Sequence, residues 1–266
     1  MAKLHVLVAK EELDRERLPG KVVVVIDVLF ATSTIVTALA HGAVEVHASP
    51  DGDAARAEAA RRPAGSFVLA GERNAQTLPG FTHPTPLALL EAGVKGRTLV
   101  YATTNGTVAL AKARGAARVY AGALLNGEAL AERLASTSRG ETVLLACAGS
   151  AGAFNLEDFY GAGYLVSLLA GHFPGAHELS DAALAARLLH DRSDGLELLS
   201  RSRVGRMMRD RAASGEVLFA AQKSRYDVVP ELTGTCLTAA PPLPGPAARG
   251  GGGPGTPQTS ARRKTP

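Results

Sequence analysis

Polar residues able to handle a phosphate group recur in this chain directly after apolar runs. Asp27 follows four valines and an isoleucine, and Thr32-Ser33-Thr34 comes five residues later. Gly71-Glu72-Arg73 follows a second apolar run, Thr103-Thr104-Asn105-Gly106-Thr107 a third, and Asn126 a fourth. In open α/β sheets ligands bind beyond the carboxyl ends of the strands, where helix N-termini present unpaired N–H groups. A carboxylate, three hydroxyls and the positive end of a helix in one small volume suit a phosphate with a metal ion. Phosphoryl transfer needs positive charge around the transferred oxygens, commonly a divalent cation held by carboxylates. Asp27, Glu72, Asp158 and Asp181 are the carboxylates on hand, and oxygen-only ligation of this kind suits Mg²⁺. Each cluster alone has a plainer role: Ser and Thr cap helices, Gly106 eases a tight turn, and Glu72-Arg73 reads as a solvated pair. Their recurrence at successive strand ends is what argues for a site.

The elements that must position these residues follow from hydrophobic periodicity. Strands are expected at 5–9 (an edge strand), 21–26, 44–48, 66–70, 98–102, 118–123 and 141–148. Helices are expected from Thr32, at about 53–62, 87–92, 107–113, after Asn126 to about 135, 156–169, 181–190 behind a Ser180-Asp181 cap, and through 194–221. Residues 74–86 are rich in turn formers and too long for an idle connection, so they read as a functional loop. His83 lies in it, with a surface role as its plainer reading. Strands alternating with helices imply an α/β fold, with a parallel-rich sheet and helices on both faces. Adjacent parallel strands would bring all four polar clusters to one sheet edge.

Composition excludes several classes. The net charge of +4 resides in Arg249, Arg262, Arg263 and Lys264, leaving 25 basic and 25 acidic side chains in residues 1–240. No nucleic-acid partner is expected of that neutral body. Residues 241–266 are low-complexity and read as a disordered Pro/Gly-rich basic tail. Cys147 and Cys236 lack zinc-site spacing and read as reduced, structural thiols. There is no signal-peptide pattern and no run of about 18 apolar residues, so a soluble cytoplasmic protein without a membrane partner is expected. No G-x-x-x-x-G-K-[ST] or strand-linked G-x-G-x-x-G occurs, which excludes a P-loop or dinucleotide site.

The string IDVLFATSTIVTALAHGA at 26–43 resembles the opening motif of the 2-phosphosulfolactate phosphatase (ComB-like) family. So do LAGER at 69–73, PGF at 79–81, ATTNGT at 102–107, Ala148-Gly149, FNLED at 154–158, Asp181-Ala-Ala183 and Val229-Pro230. The resemblance spans about residues 20 to 232. It implies a Mg²⁺-dependent hydrolase that converts (2R)-2-phospho-3-sulfolactate to 3-sulfolactate and phosphate, a step of coenzyme M biosynthesis. It also implies a three-layer α/β arrangement, divisible into two similar halves with the site between them, and is compatible with a homo-oligomer. On this reading Asp27, Glu72 and Asp158 are metal carboxylates and Asp181 is a further ligand or acid–base group. Thr32, Ser33 and Thr34 bind phosphate. Arg73, Thr103, Thr104, Asn105 and Gly106 hold the substrate's anionic groups, with Asn126 at the fourth strand end. Metal-activated water attacks directly. Two departures fall at the expected site. Phe30 stands where the family pattern has Arg, and Thr82-His83-Pro84-Thr85-Pro86 replaces a loop running Asp-x-Gly-Asn-Ser-Pro. The alternative is a small-anion-binding protein that retains the pocket without catalysis.

Overall fold

A computed structural model describes residues 2–138, 140–172 and 177–243. The tail expected from residue 241 therefore lies, from 244 onward, outside the described residues. Eleven strands form one sheet: β1 (Ala2–Leu7), β2 (Val22–Ile26), β3 (Glu45–Ser49), β4 (Phe67–Arg73), β5 (Gln76–Thr77), β6 (Thr98–Ala102), β7 (Arg118–Gly122), β8 (Val143–Cys147), β9 (His177–Leu179), β10 (Pro230–Thr233) and β11 (Cys236–Ala239). Their order across the sheet is β5-β4-β6-β3-β11-β10-β7-β2-β8-β1-β9. The helices are α1 (Ala31–Ala40), α2 (Gly52–Ala59), α3 (Pro86–Ala92), α4 (Gly106–Ala113), α5 (Gly127–Thr137), α6 (Leu156–His172), α7 (Asp181–Asp191), α8 (Gly195–Arg201), α9 (Arg203–Asp210) and α10 (Ser214–Ala220).

The α/β, parallel-rich, three-layer architecture matches the reading of the sequence. The central strand β2 shows why its five apolar residues are unbroken. Val22, Val24 and Ile26 enter the core under α5, α6 and α7, while Val23 and Val25 enter the core under α1 and α4. Alternate side chains point to opposite faces, so a strand covered on both sides needs an apolar residue at every position. Neighbouring β8 divides its residues in the same way.

Three features were not anticipated. The edge strand expected at 5–9 is β1 at Ala2–Leu7, which pairs with both β8 and β9 and so is not the edge. Residues 194–221 are three short helices, not one: Ser202 has extended backbone and caps α9 through Gly205 N, and Ala212 takes a positive φ between α9 and α10. Most consequentially, the C-terminal hairpin β10–β11 sits in the middle of the sheet. β11 runs antiparallel to β3 and β10 antiparallel to β7. The parallel block β4-β6-β3 therefore has the opposite sense to β7-β2-β8-β1-β9. Sheets twist by roughly 20–25° per strand, and across the strands between β2 and β6 that rotation brings carboxyl ends of opposed blocks towards each other.

Candidate active site

Asp27 begins where β2 ends. Its backbone N–H donates to Thr32 Oγ1 (2.9 Å), and Thr32 Oγ1 donates back to Asp27 O (2.9 Å). Ser33 Oγ donates to Val28 O (2.5 Å) and Thr34 Oγ1 to Phe30 O and Pro84 O. All three hydroxyl residues are fully buried. The three hydroxyls expected to bind phosphate are thus turned away from the cleft: the strand-to-helix turn has no side-chain cap at Phe30, and they donate to its carbonyls. The backbone amides at the start of α1 turn to Asp27. Those of Ala31 and Phe30 favour the charged form of the Asp27 carboxylate.

A second helix N-terminus meets the same carboxylate. Gly106 opens α4, and a Cβ there would lie 2.2 Å from Ala31 Cβ and 2.7 Å from Asp27 Oδ2. Only glycine permits this approach. Just before it, Thr104 N donates to Glu72 Oε1 (2.6 Å) and Thr104 Oγ1 to Glu72 Oε2 (3.1 Å). Ala75 N also donates to Glu72 Oε2 (2.6 Å), from a tight turn in which Asn74 and Ala75 both have positive φ. A left-handed alanine is strained, and such strain concentrates at functional sites. Three hydrogen bonds, two of them short, thus fix Glu72 beside Asp27. Asn105 Oδ1 accepts from Lys10 Nζ (2.9 Å), which leaves the Nδ2 donor for a ligand.

Asp27, Glu72, Asn74, Ala75, Thr104 and Asn105 line one cleft of about 220 Å³, together with Phe30, Ser150, Asn155, Glu157, Arg203 and Met207. A larger depression of about 430 Å³ between α7 and α8 holds none of the strand-end residues. Within the cleft Asp27 is raised to about 7, first by burial and then by the negative charges of Glu72 and Glu157. Glu157 is raised by burial, against which Ser202 and Arg203 favour its charged form. Neither Glu157 nor Arg203 was singled out from the sequence. Glu157 adjoins the expected Asp158 in the FNLED string, and Arg203 comes from a helix with no visible link to the strand ends.

The remaining expected residues fall elsewhere. Asp158 does not line the cleft. It is fully buried, its Oδ1 and Oδ2 accept from Val28 N (2.9 Å) and Gly149 N (3.2 Å), and burial and then Asp27 push it well above the carboxylate range. It ties the end of β2 to the end of β8, a positioning contact, and does not open on the cleft where a metal ligand was expected. Thr103 exchanges hydrogen bonds with Thr107 in the first turn of α4. Arg73 is exposed and does not line the cleft. Asp181 lies in the first turn of α7, likewise outside it. Asn126 is buried, accepting from Ala123 N (2.9 Å) and donating to Val228 O (3.1 Å), and so anchors the chain behind β7. His83 bonds Thr85 Oγ1 (2.9 Å), also away from the cleft.

Among the described residues no group of three or more His, Cys, Asp or Glu stands close enough to hold a metal. Mg²⁺ asks for less, taking one or two carboxylates and keeping several waters. Asp27 and Glu72 fit that demand: both are buried carboxylates opening on one cleft, and their mutual repulsion is what a cation would relieve.

A family model described as 2-phosphosulpholactate phosphatase matches residues 7–235. A protein of Symbiobacterium thermophilum named probable 2-phosphosulfolactate phosphatase is 41% identical over 221 residues, covering 82% of this chain and 94% of its own length. A protein of the same name from Carboxydothermus hydrogenoformans is 37% identical over 230 residues, covering 86% of this chain and 92% of its own. Another from Parasynechococcus marenigrum is 43% identical over 167 residues, covering 62% and 69%.

Proposed function

The chain belongs to the 2-phosphosulfolactate phosphatase family, and from that premise we propose that it is a Mg²⁺-dependent phosphatase acting on 2-phosphosulfolactate or a closely related phosphorylated hydroxy acid. The observation that carries this reading is the meeting of Asp27 and Glu72, from oppositely directed blocks of the sheet, in one cleft with Glu157. Asp27 and Glu72 would hold the metal. Bound there, Mg²⁺ supplies positive charge against the phosphoryl oxygens and makes water more acidic.

The chain's own residues supply the rest. The N-termini of α1 and α4 offset the negative charge of Asp27, so that it can ionise in a buried place. Glu72 is held still by the amides of Thr104 and Ala75. The Asn105 side-chain amide donates to the phosphoryl group. Glu157, raised by burial, accepts the proton from the attacking water. Val204, Met207, Leu29 and Phe30 exclude bulk water from one part of the cleft.

Phosphate release from 2-phosphosulfolactate and phospholactate, measured with Mg²⁺ and with EDTA, tests the proposal. Release from either compound that EDTA abolishes is the expected result. Release insensitive to EDTA removes the metal from the mechanism. Absence of release from both overturns the enzymatic reading in favour of a small-anion-binding protein, for which Phe30 in the cleft is the supporting observation.

A further inference from the structure

Arg203 is the only cationic side chain among the described residues that line the cleft, against the three carboxylates of Asp27, Glu72 and Glu157. It opens α9, a helix tied to its place by the Ser202 cap and by Val204 and Met208 in the core. Its Nη2 donates to Ser150 Oγ and to Asn155 Oδ1 (3.2 Å), and Ser150 Oγ in turn donates to Asn155 Oδ1 (2.9 Å). Neither acceptor is charged. Both contacts use one terminal nitrogen, and the rest of the guanidinium fork makes no hydrogen bond among the described residues. The side chain is exposed at the mouth of the cleft, so it meets an incoming ligand before the carboxylates do.

A guanidinium held by neutral groups, with unused parallel N–H donors, is a receptor for a planar or tetrahedral oxyanion. The phosphoryl group of a substrate belongs with the metal at Asp27 and Glu72. A further anionic group on the same small molecule would meet the repulsion of Glu157 and Glu72 unless it reached Arg203, whose charge already favours the Glu157 carboxylate. We infer that Arg203, positioned by Ser150 and Asn155, receives the sulfonate of the substrate rather than its carboxylate, and sets the preference for sulfonated over unsulfonated phospho-acids. This rests on the phosphatase reading above. It moves the anion-binding role from Arg73, which lies outside the cleft, to a residue on a different element.

The test compares kcat/KM for 2-phosphosulfolactate with that for phospholactate in the wild type, Arg203→Met and Arg203→Lys. A hydrogen bond to a charged group contributes about 1.5–3 kcal/mol, so the ratio of the two values should fall roughly 10- to 100-fold in Arg203→Met, with partial recovery in Arg203→Lys. An unchanged ratio, or an equal loss on both substrates, overturns the inference while leaving the phosphatase reading intact. If the wild type releases no phosphate, that reading fails, and calorimetric titration with 3-sulfolactate decides the role of Arg203 separately. Binding to wild type that Arg203→Met abolishes supports it; binding of equal strength, or none, overturns it. Thermal unfolding of each variant checks that the exposed substitution leaves the fold in place.

Discussion

Asp27 concentrates the conflict between stability and function in this molecule. Burial and two neighbouring carboxylates raise it from an ordinary 3.8 to about 7. Between about pH 4 and 7 the folded metal-free chain therefore holds a proton that the unfolded chain has released. Stability falls as pH rises through that window and stays low above it, by on the order of 2–4 kcal/mol. Asp27→Asn should flatten this slope and raise the metal-free melting temperature at pH 8. Some slope will remain, because Glu157 and Asp158 are also raised. The same variant should lower turnover about 10²- to 10³-fold, the usual loss when one preorganised charge leaves a reaction centre. Melting curves from pH 5 to 8 with EDTA, set beside turnover, check both halves; a less stable and still active variant would contradict the assignment. Asp27 was legible in the sequence because a carboxylate at the end of a buried strand is conspicuous. Thr32, Ser33 and Thr34 were equally conspicuous, yet a hydroxyl's partner is decided by the local turn, and here the turn takes all three.

At the scale of elements, the site exists because two helices point their N-termini at one carboxylate across the space a side chain would fill. Gly106→Ala places a methyl within 2.2 Å of Ala31 Cβ and 2.7 Å of Asp27 Oδ2. The helices must separate, at a cost of about 1–3 kcal/mol by analogy with overpacked cores. The expected outcome is a lower melting temperature together with a fall in kcat, since Thr104 and Asn105 shift with the start of α4. Preserved kcat in a destabilised variant would show that the approach serves packing alone. Most of these elements were readable from apolar periodicity, including β2, β6 and the helices that follow them. The hairpin β10–β11 was not: Pro230–Thr233 and Cys236–Ala239 are short, partly exposed runs without alternation strong enough to mark strands. Arg203 was hidden for a related reason, since nothing in a sequence says that a helix long after the strand ends will fold back over them.

Across the whole molecule, ligand binding and folding should be linked, because the cleft draws on both blocks of the sheet. A cation that binds only the folded chain adds about 2.7 kcal/mol at 100 times its dissociation constant. For a domain of this size that corresponds to a rise of roughly 5–10 °C in melting temperature. Differential scanning calorimetry with and without Mg²⁺ reads this directly, and the rise should vanish in Asp27→Asn; a rise that persists there would place the cation elsewhere. The position of β10–β11 has a temporal consequence too. The chain leaves the ribosome from its N-terminus, so both parallel blocks are made before the two strands that join β3 to β7. Until about residue 239 has emerged, each block shows an unpaired inner edge of the kind that recruits other strands. Asp27 and Glu72 cannot yet be held in register across a finished sheet. A chain that lacks the last strand pair should therefore turn over no substrate and aggregate more readily, and synthesis of that pair should both seal the edges and complete the site.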